Sequence, residues 1–132
     1  MPNGRKYSKQ EWERIEEPLR VLDGALKQYA RDHQMEFETN YHGIPMRRIT
    51  WRNGNLSKAI DVFVKDHEKP TYSILATAWE DRREDRYHKD EFLPVELSPP
   101  LPLEEIINLI EKLRLSATLW TYQHLKPSGL RH

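Results

Sequence analysis

Basic and aromatic side chains are concentrated in one stretch of the chain that contains no acidic residue, residues 46–59. Guanidinium groups pair with phosphate and an indole stacks on a nucleobase, so a β-hairpin of this composition is chemically suited to nucleic acid. The competing interpretation is structural, because Trp51 alternates with Ile49 as a core residue would, and the arginines would pair with carboxylates of a neighbouring strand. The candidate nucleic-acid contacts are Arg47, Arg48, Trp51, Arg52 and Lys58.

A second candidate for chemistry is a pair of carboxylates, Glu36 and Glu38, which are two residues apart and therefore share one face of a strand. With the imidazole of His42 nearby, the two groups could form an acid/base pair with divergent pKa values. Solvated strand-face carboxylates that pair with arginines are far more common. We therefore assign no catalytic residue from the sequence.

Metal and cofactor chemistry has only a weak signal in the chain. His88, Asp90 and Glu91 offer nitrogen and oxygen ligands, but their spacing matches no zinc pattern. The sequence contains 0 Cys, which excludes thiolate metal sites, disulfides and a thiol nucleophile. It also contains no glycine-rich phosphate loop and no nucleophile elbow. The sequence predicts no cofactor and no metal, and it leans away from an enzyme.

The N-terminal region has the pattern of an amphipathic helix. Ser8 and Glu11 have the spacing of a capping box, which predicts a helix beginning near Lys9. Apolar residues then recur at steps of three and four as far as Tyr29, so one helix face should pack against a core. Pro18 lacks the amide hydrogen that an interior helix position donates, so we expect a kink or a new helix starting at that residue.

After residue 35 the apolar period changes to two, which is typical of strands. Runs at 35–41, 46–52, 56–65 and 71–79 are joined by short turns, one of them at Asn53 and Gly54. A weaker fifth run covers Tyr87 to Leu93, and the charged residues 80–86 before it are predicted to be an exposed loop or a hairpin tip. The sequence therefore predicts an α+β fold, with an antiparallel meander sheet of four or five strands bracketed by an N-terminal and a C-terminal helix packed on one face.

The last helix, predicted from about Leu103 to Leu125, carries more apolar residues than one core stripe requires. Residues 106, 109, 110, 113, 117 and 120 cluster on one face at 100° per residue. Leu115, Leu119 and Tyr122 fall on nearly the opposite face and form a contiguous patch. This second stripe either binds a partner chain, packs under loops of the same chain or on its first helix, or is scattered surface apolarity of the ordinary kind.

The composition limits the electrostatic field of the whole molecule. Lys plus Arg and Asp plus Glu number 21 each, so no net charge favours nucleic acid or an anionic membrane. With 132 residues the chain fits a single domain, residues 1–132, with flexible ends expected at 1–7 and 126–132. The first residues lack the apolar run of a secretory signal, so we expect a cytoplasmic location.

These observations favour a non-catalytic protein-interaction module that self-associates as a homodimer through the C-terminal helix. One alternative is a small-molecule-binding protein or enzyme whose pocket lies between helix and sheet, lined by aromatic residues. That pocket would be concave and mostly apolar. The other alternative is nucleic-acid binding through the basic hairpin 46–58. The expected lining of the aromatic pocket is Trp12, Tyr41, Trp51 and Trp79.

Overall fold

The computed structural model describes residues 8–40, 43–64, 71–80, 83–96, 103–121, 123 and 125–127, with the backbone alone described for 71, 83–96, 126 and 127. Two helices come first, a meander of five strands follows, and a third helix leads to a short last strand. The elements are α1 (Lys9–Arg20), α2 (Asp23–Asp32), β1 (Glu36–Glu38), β2 (Arg47–Asn53), β3 (Leu56–Val64), β4 (Thr71–Glu80), β5 (Arg83–Glu96), α3 (Leu103–Thr118) and β6 (Lys126–Pro127).

The capping box is formed as predicted and fixes the start of α1. The Ser8 side chain accepts a hydrogen bond from the Glu11 backbone at 3.1 Å, and the Glu11 carboxylate accepts one from the Ser8 backbone at 2.9 Å. No new helix begins at Pro18, because α1 continues to Arg20 and α2 begins at Asp23. Pro18 has no amide hydrogen to donate to the carbonyl of Arg14, four residues earlier. Arg14 is exposed.

The sheet is an antiparallel meander in which every strand pairs with its sequence neighbours, in the order β1-β2-β3-β4-β5-β6. The hairpin between β2 and β3 closes with the pair Asn53 and Leu56, and Gly54 in its turn has a φ of 68°. A positive φ is accessible to glycine without a steric penalty, so the residue type and the tight turn agree. The α+β class and the antiparallel meander predicted from the sequence are confirmed.

The helices cover one face of the sheet, where a row of apolar side chains crosses three strands. Ile49 pairs with Ile60, which pairs with Ala76, and all three side chains are buried. The helices contribute Leu19 and Ile110, among others, to the same cluster. Burial of this apolar surface is the main stabilising contribution expected for a domain of this size.

The C-terminal half agrees with one form of a boundary prediction and contradicts another prediction. The charged residues 83–86, predicted to be an exposed loop or a hairpin tip, belong to β5 and lie near the tip of its hairpin with β4, which closes at the pair Glu80 and Arg83. Arg83 is in the strand because it pairs with Glu80, although the residues beside it carry no apolar side chains. The last helix ends at Thr118, seven residues before the predicted end, and Lys126 and Pro127 form β6, which pairs with β5. The other residues of the expected flexible ends, 1–7 and 128–132, lie outside the described residues.

Candidate binding surfaces

Two leucines at the carboxyl end of α3 face solvent, Leu115 in the helix and Leu119 in the turn that directly follows it. Leu115 is 53% exposed and Leu119 is 75% exposed, whereas Ile106, Ile110 and Ala117 on the inward face are buried. The helix therefore turns its inner stripe into the core and exposes Leu115, whereas Leu119 lies one residue beyond the end of the helix on which it was predicted. Tyr122, the third predicted member of the outer stripe, lies outside the described residues.

The carboxyl end of α3 is held by a lysine from the central strand β3. Lys58 is fully buried, and its ammonium donates to the carbonyl oxygens of Thr118 at 3.2 Å and Trp120 at 3.0 Å. A cation at this position is favoured by the helix dipole and satisfies carbonyls that have no intrahelical donor. Burial lowers the pKa of Lys58. Lys58 is therefore an internal cap and does not contribute to a basic surface, contrary to its place among the candidate nucleic-acid contacts.

A second group of polar side chains joins α3 to α2. The Tyr29 hydroxyl donates to the Glu111 carboxylate, and Arg114 donates to the Tyr29 oxygen at 2.8 Å and to Glu111 Oε2 at 2.7 Å. Hydrogen bonds from Arg114 and Tyr29 lower the pKa of Glu111 to about 2. The imidazole of His33 lies 3.8 Å from the same carboxylate. These contacts fix α3 laterally, so its outward face is a preorganised surface.

Arg47 also lies in the interior. Its side chain is 2% exposed and donates to Glu16 Oε1 at 2.9 Å on α1 and to Asp23 Oδ1 at 2.6 Å on α2. It also donates to the carbonyl oxygen of Met46 at 3.1 Å. The guanidinium thus ties β2 to both N-terminal helices and cannot reach a phosphate at the surface. The sequence correctly predicted that Arg47 pairs with carboxylates. These carboxylates lie on α1 and α2, however, and not on a neighbouring strand as expected.

The face of the sheet opposite the helices carries a second buried ion pair. Arg48 donates through two nitrogens to Asp61 Oδ1 and Oδ2, at 2.7 Å and 3.0 Å. Burial raises the pKa of Asp61, the hydrogen bonds from Arg48 lower it, and the negative charge of Glu38 raises it. The Arg48 guanidinium also lies 5.7 Å from the ring centroid of Trp79, within range of a cation–π interaction. Arg48 is therefore held in one orientation.

A cleft of about 390 Å³ lies on this opposite face, at the edge formed by β1 and β2. Its volume is in the range of sites for small molecules. The register places the large side chains of Arg48 and Arg52 on either side of Thr50, so the smaller threonine leaves space between them. The lining consists of Gln34, Glu36, Glu38, Arg48, Thr50, Trp51, Arg52, Ser57 and Trp79.

The position of the cleft differs from the sequence-based alternative, which expected an aromatic-lined pocket between helix and sheet. Trp51 and Trp79 do line the cleft, but Trp51 also packs against the core from its own side of the strand. The two carboxylates considered as an acid/base pair, Glu36 and Glu38, are exposed there. His42 and Tyr41 lie outside the described residues. Sequence reasoning did not single out Gln34, Ser57 or Asp61, whose role depends on which strand pairs with which.

Of the five candidate nucleic-acid contacts, Arg52 is the exposed one, and Arg48 and Trp51 are partly buried. Within the described residues no group of three or more histidines and acids is arranged to hold a metal ion. Among the same residues no helix is both long and apolar enough to cross a membrane. Comparison of the chain with protein-family models, with curated proteins and with solved structures found no match.

Proposed function

We propose that this chain is a non-catalytic interaction module whose partner is a second copy of itself, bound through the outward face of α3. The observation that carries the proposal is the exposure of Leu115, near the end of α3, and of Leu119, in the turn that directly follows the helix, while the inward face of α3 is buried. Scattered exposed leucines are ordinary on protein surfaces, but two at this spacing form one contact. A chain with 0 Cys suits a reducing compartment, so we include a cytoplasmic location in this proposal.

The rigidity of α3 supports its use as a docking surface. The buried cap from Lys58 holds the helix at its end, and the hydrogen bonds that join Tyr29 of α2 to Glu111 and Arg114 hold it along its side. A surface that is already ordered loses little conformational entropy when it binds.

A second copy of the chain is the partner that can bind this surface with the least additional complementarity. In a dimer with two-fold symmetry the same stripe lies on both sides, so leucine meets leucine and no complementary charge is needed. The chain has equal numbers of basic and acidic residues, so two copies do not repel each other through net charge. A contact centred on two leucines is expected to bury less than about 1,200 Å², which is typical of weak association. We therefore expect a dimer with a Kd of about 100 µM.

Molecular mass measured by sedimentation equilibrium between about 10 µM and 1 mM tests the proposal. The wild type should shift from monomer to dimer over this range, and Leu119→Asp should remain monomeric because a desolvated carboxylate would face its own copy. Leu103→Asp is the matched control, since Leu103 is an exposed leucine at the amino-terminal end of α3, away from Leu119, and an acid is tolerated in the first turn. A wild type that stays monomeric throughout, or a dimer unchanged by Leu119→Asp, would contradict the proposal.

A further inference from the structure

The first strand of the sheet has an outer side on which no described strand lies. β1 stands at the end of the strand order and consists of three residues, Glu36–Glu38. A sheet edge of this kind presents backbone donors and acceptors that another extended chain can bind as an additional strand. The edge belongs to the sheet and not to α3, so it is a separate surface from the proposed dimer contact.

The register determines which backbone groups of β1 point outward. The hairpin between β2 and β3 closes at Asn53 and Leu56, and the closing pair of a two-residue turn is hydrogen-bonded. Backbone direction alternates along an antiparallel strand, so the residues of β2 that pair with Glu36 and Glu38 direct their N–H and carbonyl groups toward β1. The N–H and carbonyl of Phe37 therefore point to the outer side.

Phe37 is the centre of the available edge. Before it, the Met35 N–H donates to the carbonyl oxygen of Ala30 at 2.7 Å, so that donor belongs to the end of α2. An added antiparallel strand exchanges two hydrogen bonds with Phe37, and its flanking residues then lie opposite Glu36 and Glu38 in pairs without hydrogen bonds. Side chains approach most closely in such pairs, whose Cα atoms are about 4.5 Å apart. The two carboxylates therefore dominate the side-chain contacts of this edge.

Both carboxylates are available for these contacts. Glu36 and Glu38 are exposed, and within the described part of the chain neither forms an ion pair or a side-chain hydrogen bond. Arg48 lies opposite Glu38, but its guanidinium donates two hydrogen bonds to Asp61. Burial raises the pKa of Asp61, and the negative charge of Glu38 raises it further. Two acids therefore face one guanidinium at this point, and an additional cation at the edge would reduce their repulsion.

The other face of β1 determines the middle residue of a partner strand. Phe37 is partly buried against the core, and the Lys27 ammonium lies 5.9 Å from its ring centroid. A basic residue opposite Phe37 would be repelled by Lys27, whereas an apolar residue would extend the contact with the ring. A second copy of β1 is a poor partner, because antiparallel pairing of two such strands places glutamate opposite glutamate.

We propose that the outer edge of β1 binds an extended segment of a partner protein as an additional antiparallel strand, with the pattern basic–apolar–basic. The central residue exchanges backbone hydrogen bonds with Phe37, and the two basic residues pair with Glu36 and Glu38. Short, charged edge strands protect a sheet from indiscriminate pairing. The same charges repel an acidic strand and select a basic one.

The probe is the peptide Thr-Lys-Val-Lys-Thr with both ends capped, titrated into isotopically labelled protein and followed by NMR. A contact of this length binds weakly, so we expect a Kd of about 1 mM. The amide of Phe37 should show the largest shift, because it gains a hydrogen bond. The capped peptide Thr-Glu-Val-Glu-Thr should not bind.

A second peptide separates strand addition from simple charge attraction. Replacement of the central valine by N-methylvaline keeps both lysines and removes the backbone donor that faces the carbonyl of Phe37. Binding should weaken about tenfold, because that carbonyl loses its hydrogen bond and the methyl group blocks close approach.

Variants of the protein test the two carboxylates. Glu36→Gln combined with Glu38→Gln should weaken binding of the lysine peptide about fivefold, since each cross-strand charge pair contributes modestly. Glu104→Gln combined with Glu105→Gln is the matched control, because it removes two exposed acids from α3, and it should leave the affinity unchanged. All four side chains are exposed, so both double variants should retain the fold.

Absence of binding at about 10 mM, or equal affinity for the lysine and glutamate peptides, would overturn the proposal. Unchanged binding of the N-methylated peptide would also overturn it, since charge alone would then explain the contact. The same holds if the variant at Glu36 and Glu38 binds as tightly as its matched control.

Discussion

Replacement of Arg47 by Met tests whether the buried guanidinium stabilises the contact between β2 and the two N-terminal helices. Methionine retains most of the apolar stem and removes the charge, so Glu16, whose side chain is 7% exposed, loses its donor at 2.9 Å. Breaking a buried ion pair on one side costs about 3–5 kcal/mol, because the remaining charge stays desolvated. Arg20 lies 3.9 Å from the same carboxylate and offsets part of the loss. We therefore expect Arg47→Met to lower the free energy of unfolding by about 3 kcal/mol.

Urea denaturation followed by circular dichroism measures this change. With a slope of about 1.5 kcal/mol per molar urea, the midpoint should fall by about 2 M. The double variant Arg47→Met with Glu16→Gln should be less destabilised than the sum of the two single variants, by at least about 1 kcal/mol, because the uncompensated charge is gone. Arg52→Met, on the exposed end of the same strand, is the control and should change stability by less than about 0.5 kcal/mol.

A loss below about 1 kcal/mol for Arg47→Met, or additive effects in the double variant, would refute the assignment of Arg47 to a stabilising internal pair. The result also affects any test of nucleic-acid binding. A charge reversal at Arg47 would place an acid against Glu16 and Asp23 and destabilise the packing of β2 on both helices, so loss of binding by that variant would carry no information about a surface contact. Arg52→Glu is the informative variant, and any genuine binding should fall steeply with salt concentration.

Two further predictions concern pH and the hairpin turn. The pKa of Glu111 is lowered from its ordinary value of 4.5 to about 2 in the folded chain. Its contribution to stability is therefore fully present above pH 4.5 and is lost as the pH falls from 4.5 through about 2. Because its side chain is 37% exposed, we expect Glu111→Gln to remove only about 1 kcal/mol of this acid-labile stability, measured by urea titrations at pH 6 and pH 3. Gly54→Ala should cost about 1 kcal/mol because Gly54 has a φ of 68°, whereas Gly24→Ala, which meets nothing within 4 Å in α2, should be neutral or stabilising; equal thermal unfolding of the two variants would contradict this.

Local patterns were sufficient to predict much of the fold. The capping box at Ser8 involves residues three apart, and the hairpin at Gly54 depends on one backbone angle, so both are visible in a short window of sequence. The inner stripe of α3 followed from helical periodicity for the same reason. The start of β5 could not be predicted in this way, because Arg83 is in a strand only through its pairing with Glu80 on β4.

The candidate site was harder to predict because its partners are distant in sequence. Glu16 and Asp23 precede Arg47 by 31 and 24 residues, and nothing local indicates that pairing. One signal was nevertheless available. The alternation that places Ile49 in the core also places Arg47 on the same side of the strand, and the alternation of Ile60 does the same for Lys58. Applied consistently, the period of two would have removed both residues from the predicted basic surface.

The cap that Lys58 provides to α3 has a consequence for the chain during its synthesis. Its two carbonyl acceptors lie 60 and 62 residues later in the sequence. At about 5–20 residues per second the ribosome needs about 3–12 s to make that interval. During this time the nascent strands β3 and β4 lack the helix that covers their apolar face, and the ammonium of Lys58 lacks its acceptors. A transcript truncated before codon 103 would therefore yield a chain that lacks α3, leaves the apolar face of the sheet partly uncovered and depends on chaperones to stay dispersed.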